Sequence, residues 1–93
     1  MRKAFITGIT GQDGRHLAEL LHSKGYKVYG MMKGQHNPRA EMIRDEFPYV
    51  EIVPGDLTDL TSLVTALEYV QPDEFYNLGA ISFVAMSFNQ AEL

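Results

Sequence analysis

Four short apolar runs punctuate the chain, and their length and character are typical of strands buried in a sheet. The first run ends at a glycine. Between successive runs, the apolar residues recur with the spacing of an α-helix. The pattern predicts four β-strands, at residues 3–7, 27–32, 50–53 and 74–78.

Two segments between these runs carry helix signals. Residues 15–24 place four apolar side chains on one helical face, and Gly25 is the residue type that most easily adopts a left-handed helix end. Asn37 and Pro38 are placed to cap and open a short helix that runs to about Phe47.

A third helix is predicted after the third strand. Either Thr58 or Asp59 can cap it, and apolar residues from Leu60 to Val70 keep the i, i+3, i+4, i+7 spacing. Residues 71–73, Gln-Pro-Asp, end it. The alternation of strands and helices predicts the α/β class, with a parallel sheet and helices on its faces. Right-handed crossovers then place the strands in the order 3-2-1-4.

Composition narrows the classes of function. Of 93 residues, 45% are hydrophobic and 22% are charged, which suits a globular domain of marginal stability at this length. The net charge of −4 argues against nucleic acid as a partner. Cysteine is absent, which excludes a thiol nucleophile, and no apolar run is long enough for a signal peptide or a membrane span. We therefore expect a cytoplasmic protein.

Three regularly spaced glycines join the first strand to the first helix. Residues 7–14 have the sequence TGITGQDG. Gly8 allows a sharp turn off the strand, Gly11 lets the backbone approach a pyrophosphate, and Gly14 lets the helix pack close to the sheet. The helix N-terminus offers N–H groups and a partial positive charge to phosphates. A glycine-rich turn that merely connects two elements is the alternative, and this spacing at this junction disfavours it.

A phosphate loop in this position indicates a Rossmann-type, doubly wound parallel sheet that binds a dinucleotide. Such sheets normally have more than four strands, and residue 93 comes about where another helix should begin. We therefore expect residues 1–93 to be a partial NAD(P)-binding domain, its N-terminal half, without the catalytic and substrate-binding regions.

The glycine spacing G-x-x-G-x-x-G resembles that of the extended short-chain dehydrogenases/reductases, most of which act on nucleotide sugars. Among them, Gln12 and Asp13 after Gly11 are similar to the GDP-mannose 4,6-dehydratase family. Three further segments agree: LAELL at 17–21, GDLTD at 55–59 and YNLGA at 76–80. The resemblance covers essentially the whole chain and weakens between Lys33 and Tyr49.

The resemblance implies roles in binding the cofactor. The residues that would wrap its pyrophosphate are Gly8, Ile9, Thr10, Gly11, Gln12, Asp13 and Gly14. The adenine would contact Asp56 and Leu57, with Asp56 accepting a hydrogen bond from the adenine amino group. From its residue type alone, a turn or helix-cap role is the better expectation for Asp56, and the matched context favours the adenine role. The residues that would lie under the ribose and nicotinamide are Leu78, Gly79, Ala80 and Ser82.

The end of the second strand favours NADP over NAD. NAD-preferring sites usually place an acid there, whereas this chain has Met31-Met32-Lys33, and a cation can pair with a 2′-phosphate. The family usually shows two arginines at this point, and lysine lacks their two-pronged geometry, so the preference is expected to be weaker. Arg39 is expected to be a solvated helix residue.

The family's catalytic Tyr-x-x-x-Lys pair, with its Ser or Thr and its Glu, lies further along than residue 93. Tyr29 and Lys33 match that pair by letter, but on a strand they would stand ~13 Å apart. The segment 82–88 aligns with a substrate-side loop of the family. At that point the family usually has Gln and His where this chain has Ile81 and Phe83. The methionines fit packing better than a cofactor site, and the histidines at 16, 22 and 36 lack metal-ligand spacing.

By resemblance, the parent enzyme would be a lyase that converts GDP-mannose to GDP-4-dehydro-6-deoxy-mannose and water through transient hydride transfer to NADP⁺. The 93-residue chain is predicted to be inactive alone. Two alternatives stay open: another nucleotide-sugar epimerase or reductase of the same family, and a stand-alone dinucleotide-binding module. The family's dimers and tetramers make a homo-oligomer a further expectation.

Overall fold

A computed structural model of the chain describes residues 1–33 and 38–78, together with the backbone of residues 84–87. In chain order the elements are β1 (Lys3–Thr7), α1 (Gln12–Ser23), β2 (Lys27–Met32), α2 (Pro38–Glu46), β3 (Val50–Pro54), α3 (Leu60–Val70), β4 (Glu74–Asn77) and β5 (Val84–Ser87). The four predicted strands and the three predicted helices are confirmed. None of the described helices is long and apolar enough to cross a membrane.

The sheet has the order β3-β2-β1-β4-β5, which places β1 between β2 and β4. The pairs β1–β2, β2–β3 and β1–β4 are all parallel. The predicted order 3-2-1-4 is therefore confirmed, and the sheet is Rossmann-like. Because β1 and β4 are parallel neighbours, their carboxyl ends lie side by side, at the point where the strand order reverses.

The fifth strand corrects the sequence analysis. Residues 82–88 were expected to be a loop, but Val84–Ser87 pairs antiparallel with β4, so that Glu74 lies opposite Ser87. The physical reason is the outer edge of β4, whose backbone N–H and C=O groups gain partners when another strand is added.

Both faces of the sheet are buried. In β1, Ala4 and Ile6 pack in one cluster with residues of α1 and α2, whereas Phe5 packs in a second cluster with residues of α3. The predicted packing role of Met31 and Met32 is confirmed, with Met31 in the α3 cluster and Met32 in the other. Burial of both faces explains why the strands are nearly continuous apolar runs in the sequence.

The helix ends follow their sequence signals. Gly25 has φ of +89°, and its N–H donates to the carbonyl of His22 after the last turn of α1. At the start of α3, Asp59 is the cap, because its Oδ1 accepts from the N–H groups of Thr61 at 3.1 Å and Ser62 at 3.4 Å. Of the two capping candidates, Asp59 is therefore the one the protein uses.

Asp59→Ala is expected to lower the free energy of unfolding by about 1 kcal/mol, because two N–H groups of α3 lose their acceptor. The measurement is urea unfolding followed by circular dichroism. Asp59→Asn keeps an acceptor oxygen and is the matched control, expected to lose much less. Equal losses in the two variants would contradict the capping role.

A polar cluster at the amino end of the sheet ties β4 to its neighbours. Glu74 accepts hydrogen bonds from Tyr76 at 2.6 Å, from Tyr26 at 2.9 Å and from Arg2 at 3.2 Å. Burial, followed by the Glu74 hydrogen bond, raises the pKa of Tyr76 to about 12. The cluster lies at the opposite end of the strands from the glycine loop. We therefore assign it a structural role, in holding the sheet together, rather than a role in the candidate site.

Candidate functional site

The glycine loop leaves the carboxyl end of β1 in a tight turn. Gly8 has φ of +72°, a conformation that side-chain-bearing residues rarely adopt, and the N–H of Gly11 donates to the Gly8 carbonyl at 3.1 Å. The turn role predicted for Gly8 agrees with this geometry. The loop leads directly into α1. The N–H of Arg15 donates to the carbonyl of Gly11 at 3.0 Å, which is the first hydrogen bond of the helix.

The packing of the protein itself requires a glycine at position 14. A Cβ there would overlap the Gly8 carbonyl oxygen and would lie 2.9 Å from the Cα of Ile9. Both neighbours are backbone atoms, which cannot move aside as a flexible side chain can. Gly14 is buried, and it lets the first turn of α1 pack against the loop.

Position 11 shows the opposite situation. Among the described residues, a Cβ on Gly11 would meet only the Gly8 carbonyl oxygen, at 3.5 Å, which is an ordinary contact. The backbone angles, φ −76° and ψ 165°, suit any residue. Neither the backbone conformation nor packing against the described residues therefore explains this glycine. The open space in front of its backbone fits a group that approaches from outside, as a pyrophosphate would.

Ile9 holds the loop on the sheet. Its side chain is 1% exposed and rests on Gly30 of β2, where an added Cβ would lie 2.9 to 3.1 Å from three Ile9 atoms. The Ile9 side chain thus belongs to the core. Of the residues predicted to wrap the pyrophosphate, Ile9 can contribute only its backbone.

The N-terminus of α1 differs from that of α3. No described side chain caps α1, which starts after Gly11, whereas Asp59 caps α3 with two hydrogen bonds. The first turn of α1 carries Gln12 and Asp13, both exposed. An uncapped helix start next to an open glycine is the arrangement that phosphate-binding helices have.

The ends of β2 and β3 bring together two predicted site residues. Met32 and Pro54 are register partners, and the N–H of Gly55 donates to the Met32 carbonyl at 3.0 Å. Beyond them, Lys33 Nζ lies 3.5 Å from Asp56 Oδ2. The two residues predicted to read the cofactor's 2′-phosphate and its adenine therefore form an ion pair with each other.

Asp56 also has the turn role that its residue type allows. Its Oδ1 accepts from the backbone N–H of Thr58 at 2.9 Å and from the Thr58 hydroxyl at 2.8 Å. Its own N–H donates to the Ser62 hydroxyl at 2.9 Å. These Thr58 hydrogen bonds, with a smaller contribution from Lys33, lower the pKa of Asp56. Leu57 beside it is half-buried against the α3 cluster, and the adenine contacts of both residues stay predictions.

The end of β4 lies beside the glycine loop. The N–H of Leu78 donates to the Thr7 carbonyl at 3.3 Å, and the Thr7 hydroxyl donates to Asn77 Oδ1 at 2.6 Å. The Thr7–Asn77 pair, which joins a buried and a half-buried side chain, was not predicted. The sequence offers one indication of this pair, because β1 and β4 each end in a polar residue, Thr7 and Asn77. Gly79, Ala80 and Ser82 lie outside the described residues.

The rejected catalytic candidates are placed as expected. Tyr29 lies within β2 and Lys33 just after it, so this pair has strand geometry. His16 and His22 are exposed, and His22 stacks on Tyr49 at 3.8 Å between ring centroids. The described ranges contain no group of three or more side chains able to hold a metal ion. His36 and the Met86 side chain lie outside the described residues.

A parallel sheet in the order 3-2-1-4, with a glycine loop leading from its first strand into an uncapped helix, defines the class of Rossmann-like dinucleotide-binding domains. The family described as GDP-mannose 4,6 dehydratase matches residues 5–93. The chain therefore belongs to the GDP-mannose 4,6-dehydratase family.

Individual relatives agree. The chain is 44% identical to a GDP-mannose 4,6-dehydratase of Yersinia enterocolitica over 99 residues, covering 99% of this chain and 27% of that protein. It is 45% identical to a human GDP-mannose 4,6 dehydratase, covering 96% of this chain and 26% of that protein. The chain thus spans about a quarter of the length of these relatives.

Among solved structures, an enzyme of Bordetella bronchiseptica in complex with NAD⁺ is similar to the chain. The TM-score is 0.68 and the identity is 36%, covering 88% of this chain and 27% of the other. The fold is therefore shared with a protein that binds a nicotinamide dinucleotide.

Proposed function

We propose that this chain is the N-terminal NADP-binding part of a GDP-mannose 4,6-dehydratase. The observation that carries the proposal is the contrast within the glycine loop, where Gly14 is required by packing and Gly11 is not. A position that the protein leaves open beside an uncapped helix start is suited to the cofactor's pyrophosphate. Membership of the family supports the substrate, GDP-mannose.

In this proposal the backbone of residues 8–14 holds the pyrophosphate, and the positive end of the α1 dipole stabilises its charge. Asp56 and Leu57 contact the adenine, while Leu78, with Gly79, Ala80 and Ser82, lies under the ribose and nicotinamide. Bound NADP⁺ supplies the hydride acceptor and donor of the dehydration. The described residues are assigned to positioning the cofactor, with Tyr29 and Lys33 in strand geometry rather than on a helix, and the proposal includes that the 93 residues alone do not turn over GDP-mannose. The cytoplasmic location and the homo-oligomer stay predictions.

The preference for NADP rests on Lys33. It follows β2 at the position where an NAD site usually has an acid, and its side chain is 81% exposed, so its ammonium can reach a 2′-phosphate. Arg39 lies exposed in the first turn of α2, on a separate element. Lysine binds a phosphate as a point charge, which favours a moderate preference.

Isothermal titration calorimetry of the purified chain, checked for folding by circular dichroism, tests the proposal. NADP⁺ is expected to bind more tightly than NAD⁺. Lys33→Met is expected to weaken NADP⁺ binding about tenfold, the value of one charge-assisted contact, and to leave NAD⁺ binding nearly unchanged. Lys24→Met removes the same charge at the exposed end of α1 and is the matched control.

The outcomes separate the parts of the proposal. A folded chain that binds neither dinucleotide would overturn the proposed cofactor site. Binding of both with equal affinity, unchanged in Lys33→Met, would retain the site and remove the assignment of Lys33.

A further inference from the structure

The lysine assigned to the 2′-phosphate has an anionic partner in the protein. Lys33 Nζ lies 3.5 Å from Asp56 Oδ2, and the two side chains are 81% and 30% exposed. Any group that binds the Lys33 ammonium must therefore do so beside a carboxylate.

The two partners are held very differently. Asp56 is fixed by the two hydrogen bonds that its Oδ1 accepts from Thr58, and by the bond from its own N–H to Ser62. Its lowered pKa keeps the carboxylate ionised at neutral pH. Lys33 has a long side chain that is mostly in solvent. When an anion arrives, the lysine can turn toward it while the carboxylate stays in place.

From this geometry we propose that Asp56 sets the strength of the NADP-over-NAD preference by acting as the counter-ion of Lys33. The carboxylate competes with the 2′-phosphate for the ammonium and also repels the phosphate. The inference rests on the proposed function, because it assumes that Lys33 faces the 2′-position of the cofactor ribose.

The size of the effect follows from distance and exposure. An anion at ~2.8 Å from the Lys33 ammonium in its present position would lie within ~6 Å of the Asp56 carboxylate. At this distance repulsion is felt, but an exposed ion pair is weak and is screened by salt. Asp56 is therefore expected to reduce the preference several-fold without abolishing it.

The ratio of the dissociation constants of NAD⁺ and NADP⁺ isolates this role. The adenine is common to both dinucleotides, so any adenine contact of Asp56 cancels in the ratio. Only a charge that senses the 2′-phosphate changes it. A purely structural role in the turn before α3 would alter both constants alike.

The experiment measures this ratio by calorimetry for the wild-type chain and for Asp56→Asn, whose amide oxygen can still accept from Thr58. The ratio is expected to rise about fivefold at low ionic strength. In 0.5 M salt, where the screening length is ~4 Å, this factor is expected to fall toward one. Combined with Lys33→Met, the same substitution is expected to have a smaller effect. Asp45→Asn, on the exposed side of α2, makes the same charge change away from the site.

An unchanged or lower ratio in folded Asp56→Asn, with both dinucleotides still bound, would overturn this inference and leave the proposed function standing. Failure of the wild-type chain to bind either dinucleotide would instead overturn the proposed function. Should Asp56→Asn unfold, the ratio is measured on Asp56→Ser, with the same expected rise and the same contradicting result.

Discussion

Gly11→Val is expected to fold like the wild-type chain and to bind NADP⁺ at least about 100-fold more weakly, a loss of roughly 3 kcal/mol in binding free energy. Folding is expected to be retained because the backbone angles at this position suit valine and, in the described parts of the chain, a Cβ meets only one atom, at 3.5 Å. Binding is lost because the new side chain occupies the space in which the pyrophosphate would approach the loop.

The comparison needs both a structural and a binding measurement. Circular dichroism and urea unfolding establish that Gly11→Val is folded, and calorimetry then measures NADP⁺ affinity. Gly25→Val, at the far end of α1, introduces the same side chain where nothing lies within 4 Å of an added Cβ. That control is expected to lose some stability because of its positive φ, and to keep its affinity. If Gly11→Val bound NADP⁺ as tightly as the wild-type chain, the proposal that the glycine loop binds the pyrophosphate would be contradicted.

Gly14→Ala is expected to show the opposite result, a loss of stability of about 3 kcal/mol or more. A single methyl group would overlap the Gly8 carbonyl oxygen and press on the Cα of Ile9, so α1 and the loop must separate. Domains of this size are stable by only about 5–15 kcal/mol in total, so the variant is expected to lose a large part of its stability and to unfold at a clearly lower urea concentration.

Urea unfolding of Gly14→Ala and Gly11→Ala provides a matched test. The same methyl group is added three residues apart, at a position with no room and at a position with room. Gly11→Ala is expected to be as stable as the wild-type chain within about 1 kcal/mol. The lower conformational entropy of its unfolded chain and the one contact of its methyl group each change the free energy of unfolding only slightly. Equal stability of the two variants would show that α1 can shift at little cost, contrary to the tight packing described above.

Local signals in the sequence predict much of this fold. Gly25 ends α1 and Asp59 caps α3 because each acts on backbone groups within a few residues. The strand order follows from general rules about crossovers, and it is confirmed for β1 to β4. The roles of Gly8 and Gly14 were also predictable, since a sharp turn and a close helix approach depend on the glycines alone.

Long-range pairing limits what the sequence can predict. Thr58 and Asp59 are both N-cap residue types, and only the folded chain shows that Thr58 instead donates to Asp56. The Lys33–Asp56 pair depends on the register of β2 and β3, and β5 depends on the free edge of β4. The sequence analysis predicted separate roles for Lys33 and Asp56. Nothing in the neighbouring residues indicates that the two side chains form an ion pair.

The packing of Ile9 against Gly30 affects the thermodynamics of ligand binding. Because a buried side chain in the middle of the loop is locked onto the central part of the sheet, the loop loses its conformational entropy during folding. In the proposed function, a dinucleotide then meets backbone N–H groups that are already oriented, and binding has little ordering of the chain to oppose it. We therefore expect the affinity of the glycine loop for phosphate to depend partly on a contact on the side that faces away from the ligand.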